Sequence, residues 1–202
     1  MNKSAPPHSD TREHLLATGE ELSMRLGFTA MGLTEILTTA GVPKGSFYHH
    51  FKSKEAFGEA MIQRYFDNYE QALHWHFNQP NGNQRQHLLS YYAQAITNFC
   101  NSQCHNVCLA VKVSAEVSDL SEPMRHVLEK GTATVVKQLT TAIEQGIAEG
   151  SLQVLQPPAV AAEIIYSLWL GASLRAKIKH SVAPLAAALE LLEILLQPPA
   201  GA

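Results

Sequence analysis

The sequence predicts an all-α fold in two parts: an N-terminal three-helix helix-turn-helix domain over residues 1–54 and a C-terminal helical bundle over residues 55–202. Three observations lead there. Apolar residues recur at helical spacing in the first third of the chain and again from Gln84 to Gln197. The breaks are short and built on Gly and Pro: Ala40-Gly41-Val42-Pro43, Gln79-Pro80-Asn81-Gly82-Asn83, Gly150 and Pro157-Pro158. The chain has 202 residues, 46% of them hydrophobic, enough to bury a real core, yet no uninterrupted apolar run approaches membrane-spanning length.

Taken in order, residues 1–9 are polar, contain Pro6-Pro7, and read as a mobile arm. Ser9 or Asp10 caps a first helix whose inner side carries Leu15, Leu16, Leu22 and Leu26, and Gly27 ends it. The start of that helix, with Thr11 and Arg12, is a candidate phosphate neighbour. Leu33, Ile36 and Leu37 give the next helix an apolar face. Gly41 suits the left-handed turn after a helix, and Pro43 suits the opening of the next one. That helix runs to about Phe51, with Phe47 and Phe51 turned inward and Tyr48, His49 and Lys52 turned elsewhere. Ser53 is a natural cap for a long helix carrying Phe57, Met61, Tyr65 and Phe66 toward about Phe77; Ala56 stands where the acid of a capping box would belong.

Further helices are expected at about residues 86–99, 106–117, 121–149, 157–180 and 181–196. The last two are rich in Ala, Leu and Ile. Ala161, Ala162, Gly171 and Ala172 permit close helix approach, which suits a two-helix contribution to a four-helix dimer interface.

Bulk charge does not argue for nucleic acid. The net charge is −3, and up to Ala60 six Lys and Arg stand against seven acids. Placement does argue for it. From Ile36 to Lys54 there is no acid, while three Lys sit with two His, and phosphate contacts need only a local patch. The helix that opens with Lys44-Gly45-Ser46 brings a cation, a residue without a side chain and a hydroxyl to its first turn. Those suit close approach to phosphates and base edges in a major groove. Lys44, Gly45, Ser46 and Tyr48 are the groove-facing candidates. Thr29, His49, Lys52 and Lys54 are the phosphate-side candidates.

These residues resemble the DNA-binding domain of TetR-family repressors in order and spacing. The match comprises Gly27-Phe28-Thr29, Glu35-Ile36, Ala40-Gly41-Val42, Lys44 to Phe51 and Ser53-Lys54-Glu55, about a third of the chain. The resemblance implies a homodimer that reads a roughly palindromic operator through paired heads, the long helix at Ser53 setting their spacing.

Three cysteines, an odd number, with no secretory signal, point to reduced thiols in the cytoplasm rather than a disulfide scaffold. Cys100, Cys104 and Cys108 lie within nine residues, with His105 among them. They read as idle buried thiols, as a metal site, or as a reactive-thiol sensor. The spacing matches no recognised zinc pattern, and neither a metal nor a cofactor is expected. For the sensor, Asn106 as a cap would place Cys108 in a helix first turn, where partial positive charge stabilises a thiolate, and Lys112, Lys177 and Lys179 are candidate cations. No Gly-x-Ser-x-Gly elbow and no Gly-rich phosphate loop occurs, so an enzyme is not expected. His74 and His76 beside Trp75 read as ligand-pocket residues or, the better reading, as surface or interface residues. Tyr91, Tyr92, Tyr166 and Trp169 read as core or as the lining of a cavity.

The body is also similar to a narrower branch of the family, the N-ethylmaleimide-responsive, electrophile- and oxidant-sensing repressors of enteric bacteria. The segments 11–20, 42–49, 108–117, 119–125 and 168–178 carry that likeness. It implies control of detoxification genes and release of the operator when Cys108 is modified, with Lys177 as the partner amine. After oxidation the two could form a sulfur–nitrogen bond. Cys100 and Cys104 are candidate helpers. A non-covalent apolar inducer is the other reading.

Overall fold

The computed structural model describes residues 8–102 and 108–199; for residues 8–10 only the backbone is described. Among these residues there are nine helices and no strand: α1 (His8–Leu26), α2 (Leu33–Ala40), α3 (Lys44–His50), α4 (Lys54–Phe77), α5 (Gln84–Asn101), α6 (Leu109–Val117), α7 (Glu122–Ala148), α8 (Pro158–Lys179) and α9 (Ala183–Leu195). The chain divides into two compact units. One holds the residues up to Asp67 with Lys112–Lys130, and the other Asn68–Val111 with the residues from Gly131 on. The head expected over residues 1–54 lies inside the first.

In the first unit α1 packs on α2 and α3. Leu15, Leu16, Leu22, Met31, Ile36, Phe47, Phe57 and Met61 are almost wholly buried. The rings of Phe47, Phe51 and Phe57 meet pairwise at 5.1–5.4 Å, a cluster that fixes α3 on the start of α4. Gly41 takes φ 63°, and its N–H reaches the Leu37 and Thr38 carbonyls, closing α2 as its sequence position predicts. The Ser53 hydroxyl accepts the Ala56 N–H at 3.0 Å, so the cap on α4 forms without an acid at its third position. Arg64 of α4 ties back to α1 by ion pairs to Glu13 and Glu20 at 2.5 and 2.6 Å.

Two expectations for α1 are corrected. The helix already includes Ser9 and Asp10, so neither caps it: a cap needs a non-helical backbone, and nothing between His8 and Thr11 interrupts the helix. Leu26 is 38% exposed because the chain leaves the core at Gly27, whose φ is 90°.

The second unit is built on α5, α8 and α9. Its core joins Phe99, Ala172, Ala176, Leu185 and Ala188, with Ile96, Val111, Leu168, Trp169 and Val182 packed against it. The small residues let α8 and α9 approach closely. Asn83 and Gln86 form a reciprocal capping box, so α5 begins two residues before the expected start. The Arg85 guanidinium donates to the Leu196 carbonyl at 2.6 Å, satisfying the end of α9. Among the described residues no helix is long and apolar enough to cross a membrane.

Candidate functional site

The outer face of α3 is open. Lys44, Gly45, Tyr48, His49 and Lys52 are exposed, Ser46 is half-buried and Phe47 is sealed beneath them. The alternation follows from helix period: Phe47 and Phe51, four apart, face the core, which turns Lys44 and Tyr48, also four apart, outward together. The Lys44 ammonium lies 5.8 Å from the centre of the Tyr48 ring, so cation and aromatic form one surface element. A Cβ built on Gly45 meets nothing within 4 Å, so the backbone at the front of α3 is accessible to a large partner. The His49 ring packs edge-on to His50 at 5.0 Å.

Thr29 and Lys54 are engaged within the protein. The Lys54 ammonium donates to the Thr29 carbonyl at 3.3 Å and sits 4.8 Å from the centre of the Phe28 ring. Burial holds the Lys54 pKa below its ordinary value, and the nearby Glu116 carboxylate opposes that shift. The Thr29 N–H donates to the Glu116 carboxylate at 3.0 Å. A Cβ on Gly27 would collide with that same carboxylate. Nothing in the sequence singles out Glu116: it is one acid on a mostly apolar helix, and its partners are a backbone N–H and a glycine, which leave no side-chain pattern. Arg12 lies over the Phe51 ring at 5.5 Å, from where its guanidinium braces α3.

Cys100 is exposed near the end of α5, while Cys108 is half-buried and directly precedes α6. Cys108 therefore stands just outside the helix and not in its first turn, because the helix begins at Leu109, where Leu109 and Ala110 enter the core. Cys104, His105 and Asn106 lie outside the described residues. Lys177 is half-buried in the last turn of α8, beside the fully buried Ala176. Val111, one turn on from Cys108, packs on the cluster containing Ala172 and Ala176. That contact brings the opening of α6 to the part of α8 that carries Lys177. Among the described residues no group of three or more His, Cys, Asp or Glu could hold a metal ion.

Two tyrosine hydroxyls bear on Cys108. The Tyr91 and Tyr166 hydroxyls lie within electrostatic reach of its sulfur. Burial, and then negative charge at Cys108, push the Tyr166 hydroxyl above its ordinary pKa; burial raises that of Tyr91 against the opposing hydrogen bond to Tyr69, so both stay protonated. The Tyr91 hydroxyl pairs with that of Tyr69. The Tyr166 hydroxyl is buried and has no hydrogen-bond partner among the described residues. Tyr92 packs on Trp169 with ring centres 4.6 Å apart. Of the histidines, His76 Nε2 lies 3.0 Å from the His87 carbonyl. His74 lines an open, mixed groove of about 340 Å³ with Asn78, Thr134, Lys137 and Gln138, and Trp75 is 67% exposed.

Residues 15–61, which hold α2, α3 and most of α1, match the family model for bacterial regulatory proteins of the tetR family, and residues 85–192 match that for the tetracyclin repressor-like C-terminal domain. The chain belongs to the TetR family. It is a helix-turn-helix DNA-binding regulator, of a family that is not enzymatic. This TetR-family chain is 48% identical over 200 residues to the HTH-type transcriptional repressor NemR of Escherichia coli, covering 99% of this chain and all of that one. It is 31% identical over 174 residues to the repressor DhaR of a Mycobacterium species, covering 86% of each chain. The crystal structure of E. coli NemR in its reduced form superposes with a TM-score of 0.88 at 50% identity, over 95% of this chain and 100% of that one. A TetR regulatory protein from Rhodobacter sphaeroides superposes with a TM-score of 0.86 at 27% identity, over 93% and 99%.

Proposed function

We propose that this TetR-family chain is a cytoplasmic, homodimeric repressor whose α3 enters the major groove of a roughly palindromic operator, and which leaves the operator when an electrophile or oxidant modifies Cys108. Lys44, Gly45, Ser46 and Tyr48 meet the groove; Thr29, His49, Lys52 and Lys54 serve the phosphate side. Cys108 is the sensing thiol and Lys177 its cationic neighbour, with Cys100 and Cys104 as secondary thiols. The genes controlled are those of electrophile detoxification. What carries the reading is the likeness to NemR over the whole chain, joined to a half-buried Cys108 at the head of α6.

The dimer is supported by two outward apolar stripes. Val160, Ile164, Leu174 and Ile178 on α8, and Leu191 and Ile194 on α9, are all more than 40% exposed in the single chain. A monomer would leave that surface wet.

Modification acts if it favours a body conformation whose heads no longer fit successive major grooves; a small angular change suffices. The deciding experiment follows operator binding by fluorescence anisotropy while mass spectrometry follows Cys108. Stoichiometric electrophile should release the operator in step with the adduct, and Cys108→Ser should hold it. Normal release by Cys108→Ser would reject the thiol mechanism. That outcome would favour a non-covalent apolar inducer, for which the structure offers an apolar cleft of about 220 Å³ lined by Val154, Leu155, Ile164, Ile165 and Ile194.

A further inference from the structure

The Tyr166 hydroxyl is buried, the residue being 8% exposed, and it makes no hydrogen bond to any described residue. Such a group loses its water on burial and gains nothing back. A second hydroxyl near the same sulfur, that of Tyr91, is already paired with Tyr69. One donor by the thiol is therefore committed and the other is open. Position on α8 matters too. Ser173 and Lys177 follow Tyr166 by seven and eleven residues, which returns both to within about 20° of the same side of the helix. Tyr166 and Ser173 are buried there and Lys177 half-buried. One strip of α8 thus carries both the Tyr166 hydroxyl and Lys177.

We propose that the Tyr166 hydroxyl is the hydrogen-bond donor for the carbonyl oxygen of a conjugated electrophile as the Cys108 sulfur attacks it, so that the site prefers α,β-unsaturated carbonyl compounds over electrophiles without a carbonyl. The proposal rests on Cys108 being the sensing thiol. In the step, the thiolate forms a carbon–sulfur bond to the β-carbon, and the π electrons of the C=C bond move to give an enolate. Negative charge then gathers on the carbonyl oxygen, where the Tyr166 O–H meets it. Water protonates the α-carbon. The proton taken up there balances the one the thiol gave to solvent, so S–H has added across C=C with no oxidant or reductant consumed. Burial keeps the hydroxyl protonated, which suits a donor and excludes a base.

The test uses the full-length dimer with Cys100 and Cys104 changed to Ser, so that added mass reports Cys108 alone. Two probes are compared by rapid quench and intact-mass measurement: N-ethylmaleimide, a conjugated carbonyl compound, and methyl methanethiosulfonate, which reacts with thiolates and has no carbonyl. Tyr166→Phe should slow the maleimide about tenfold or more, part of what a preorganised oxyanion donor supplies, and leave the thiosulfonate rate unchanged. Equal rates for both proteins with both probes would overturn the proposal, the hydroxyl then being served by an ordered water. Equal slowing of both probes would overturn it too, because Tyr166 would then be acting on the thiol or the fold. If neither probe modifies Cys108 in the parent protein, the sensing-thiol reading fails first and takes this one with it. The variant should fold normally, since removing an unpartnered hydroxyl orphans no other group; its melting temperature should match or exceed the parent's.

Discussion

The Glu116 carboxylate accepts the Thr29 backbone N–H at 3.0 Å and so ties α6 to the loop between α1 and α2. The same loop is held from its other side by Lys54, which donates to the Thr29 carbonyl and lies near enough to Glu116 to feel its charge. Both polar groups of one exposed peptide segment are thereby committed to side chains from α4 and α6. Cys108 directly precedes α6, so the helix that follows the proposed sensing thiol also carries the acceptor for a loop of the DNA-binding head.

Glu116→Leu should therefore loosen residues 27–32 without unfolding the chain. Hydrogen exchange at the Thr29 amide should speed up, and operator affinity should fall by about tenfold, the loss of one charge-assisted hydrogen bond of roughly 1.5–3 kcal/mol being shared between loop mobility and binding. Glu116→Gln keeps an acceptor oxygen and should retain most of the affinity. If the leucine variant binds operator as tightly as the parent, the tie does not support the head.

On α3, Lys44 and Tyr48 form one exposed pair. Lys44→Ala should weaken operator binding and, with one cation lost from each head of the dimer, lower the slope of log affinity against log salt by about 2. Tyr48→Ala should reduce discrimination between operator and random DNA. Neither should move the melting temperature by much, since both side chains stand outside the core. Anisotropy titrations at several salt concentrations, on operator and scrambled duplexes, separate the two effects.

Arg64 pairs with a more exposed Glu13 and a less exposed Glu20. Hydrogen bonding to Arg64 holds Glu13 below the ordinary carboxylate pKa. Burial raises Glu20 in spite of the guanidinium. Arg64→Met would leave Glu20 half-buried without its cation, at a cost of about 1–3 kcal/mol, less than for a fully buried pair. Removing the cation raises the Glu20 pKa further. A carboxyl whose folded pKa lies above its unfolded one binds more protons when folded, so stability falls as pH rises through that window. The deficit of the variant should be large at neutral pH and shrink in mildly acidic buffer, as read by urea denaturation at both. The Glu13 pair fades only at lower pH, because its folded pKa lies below its unfolded one, so a deficit that persists undiminished in mildly acidic buffer would place the loss there.

What the sequence made legible follows what is local. Gly41, Pro43 and Ser53 announce α2, α3 and α4 because turn and cap chemistry acts within four residues. Phe47 and Phe51 orient α3 for the same reason. Contacts between distant segments leave no such mark. A Cβ on Gly58 would lie 2.5 Å from the Phe28 ring, yet its sequence neighbours read as plain helix. Glu116 is silent because it serves backbone. Tyr91 and Tyr166 were visible as aromatics at helical spacing, but the difference between a paired and an unpaired hydroxyl exists only in three dimensions. The start of α6 at Leu109 goes with the burial of Leu109 and Ala110, which a single sequence does not mark.

The two faces of α9 bear on assembly. Leu185, Ala188 and Leu192 are sealed against the body, and Leu191 and Ile194 face outward with 41% and 67% exposure. A helix apolar on both sides needs a second partner. The parallel stripe on α8, Val160 to Ile178, runs along the same exposed surface, and the groove between the two helices, about 590 Å³, is floored by Gly171, Ala172, Ala187 and Ala188, small enough to admit a ridge from a second copy. Ile194→Glu would set a carboxylate into that seam in both chains at once. In a self-complementary seam the two charges would fall on the same symmetric surface. The dimer's Kd should rise by at least about a hundredfold, near 3 kcal/mol. Sedimentation velocity should find single chains with unchanged helix content, and operator binding should collapse, since one head reads only half a palindrome. A variant that stays paired and still binds would move the interface off α9.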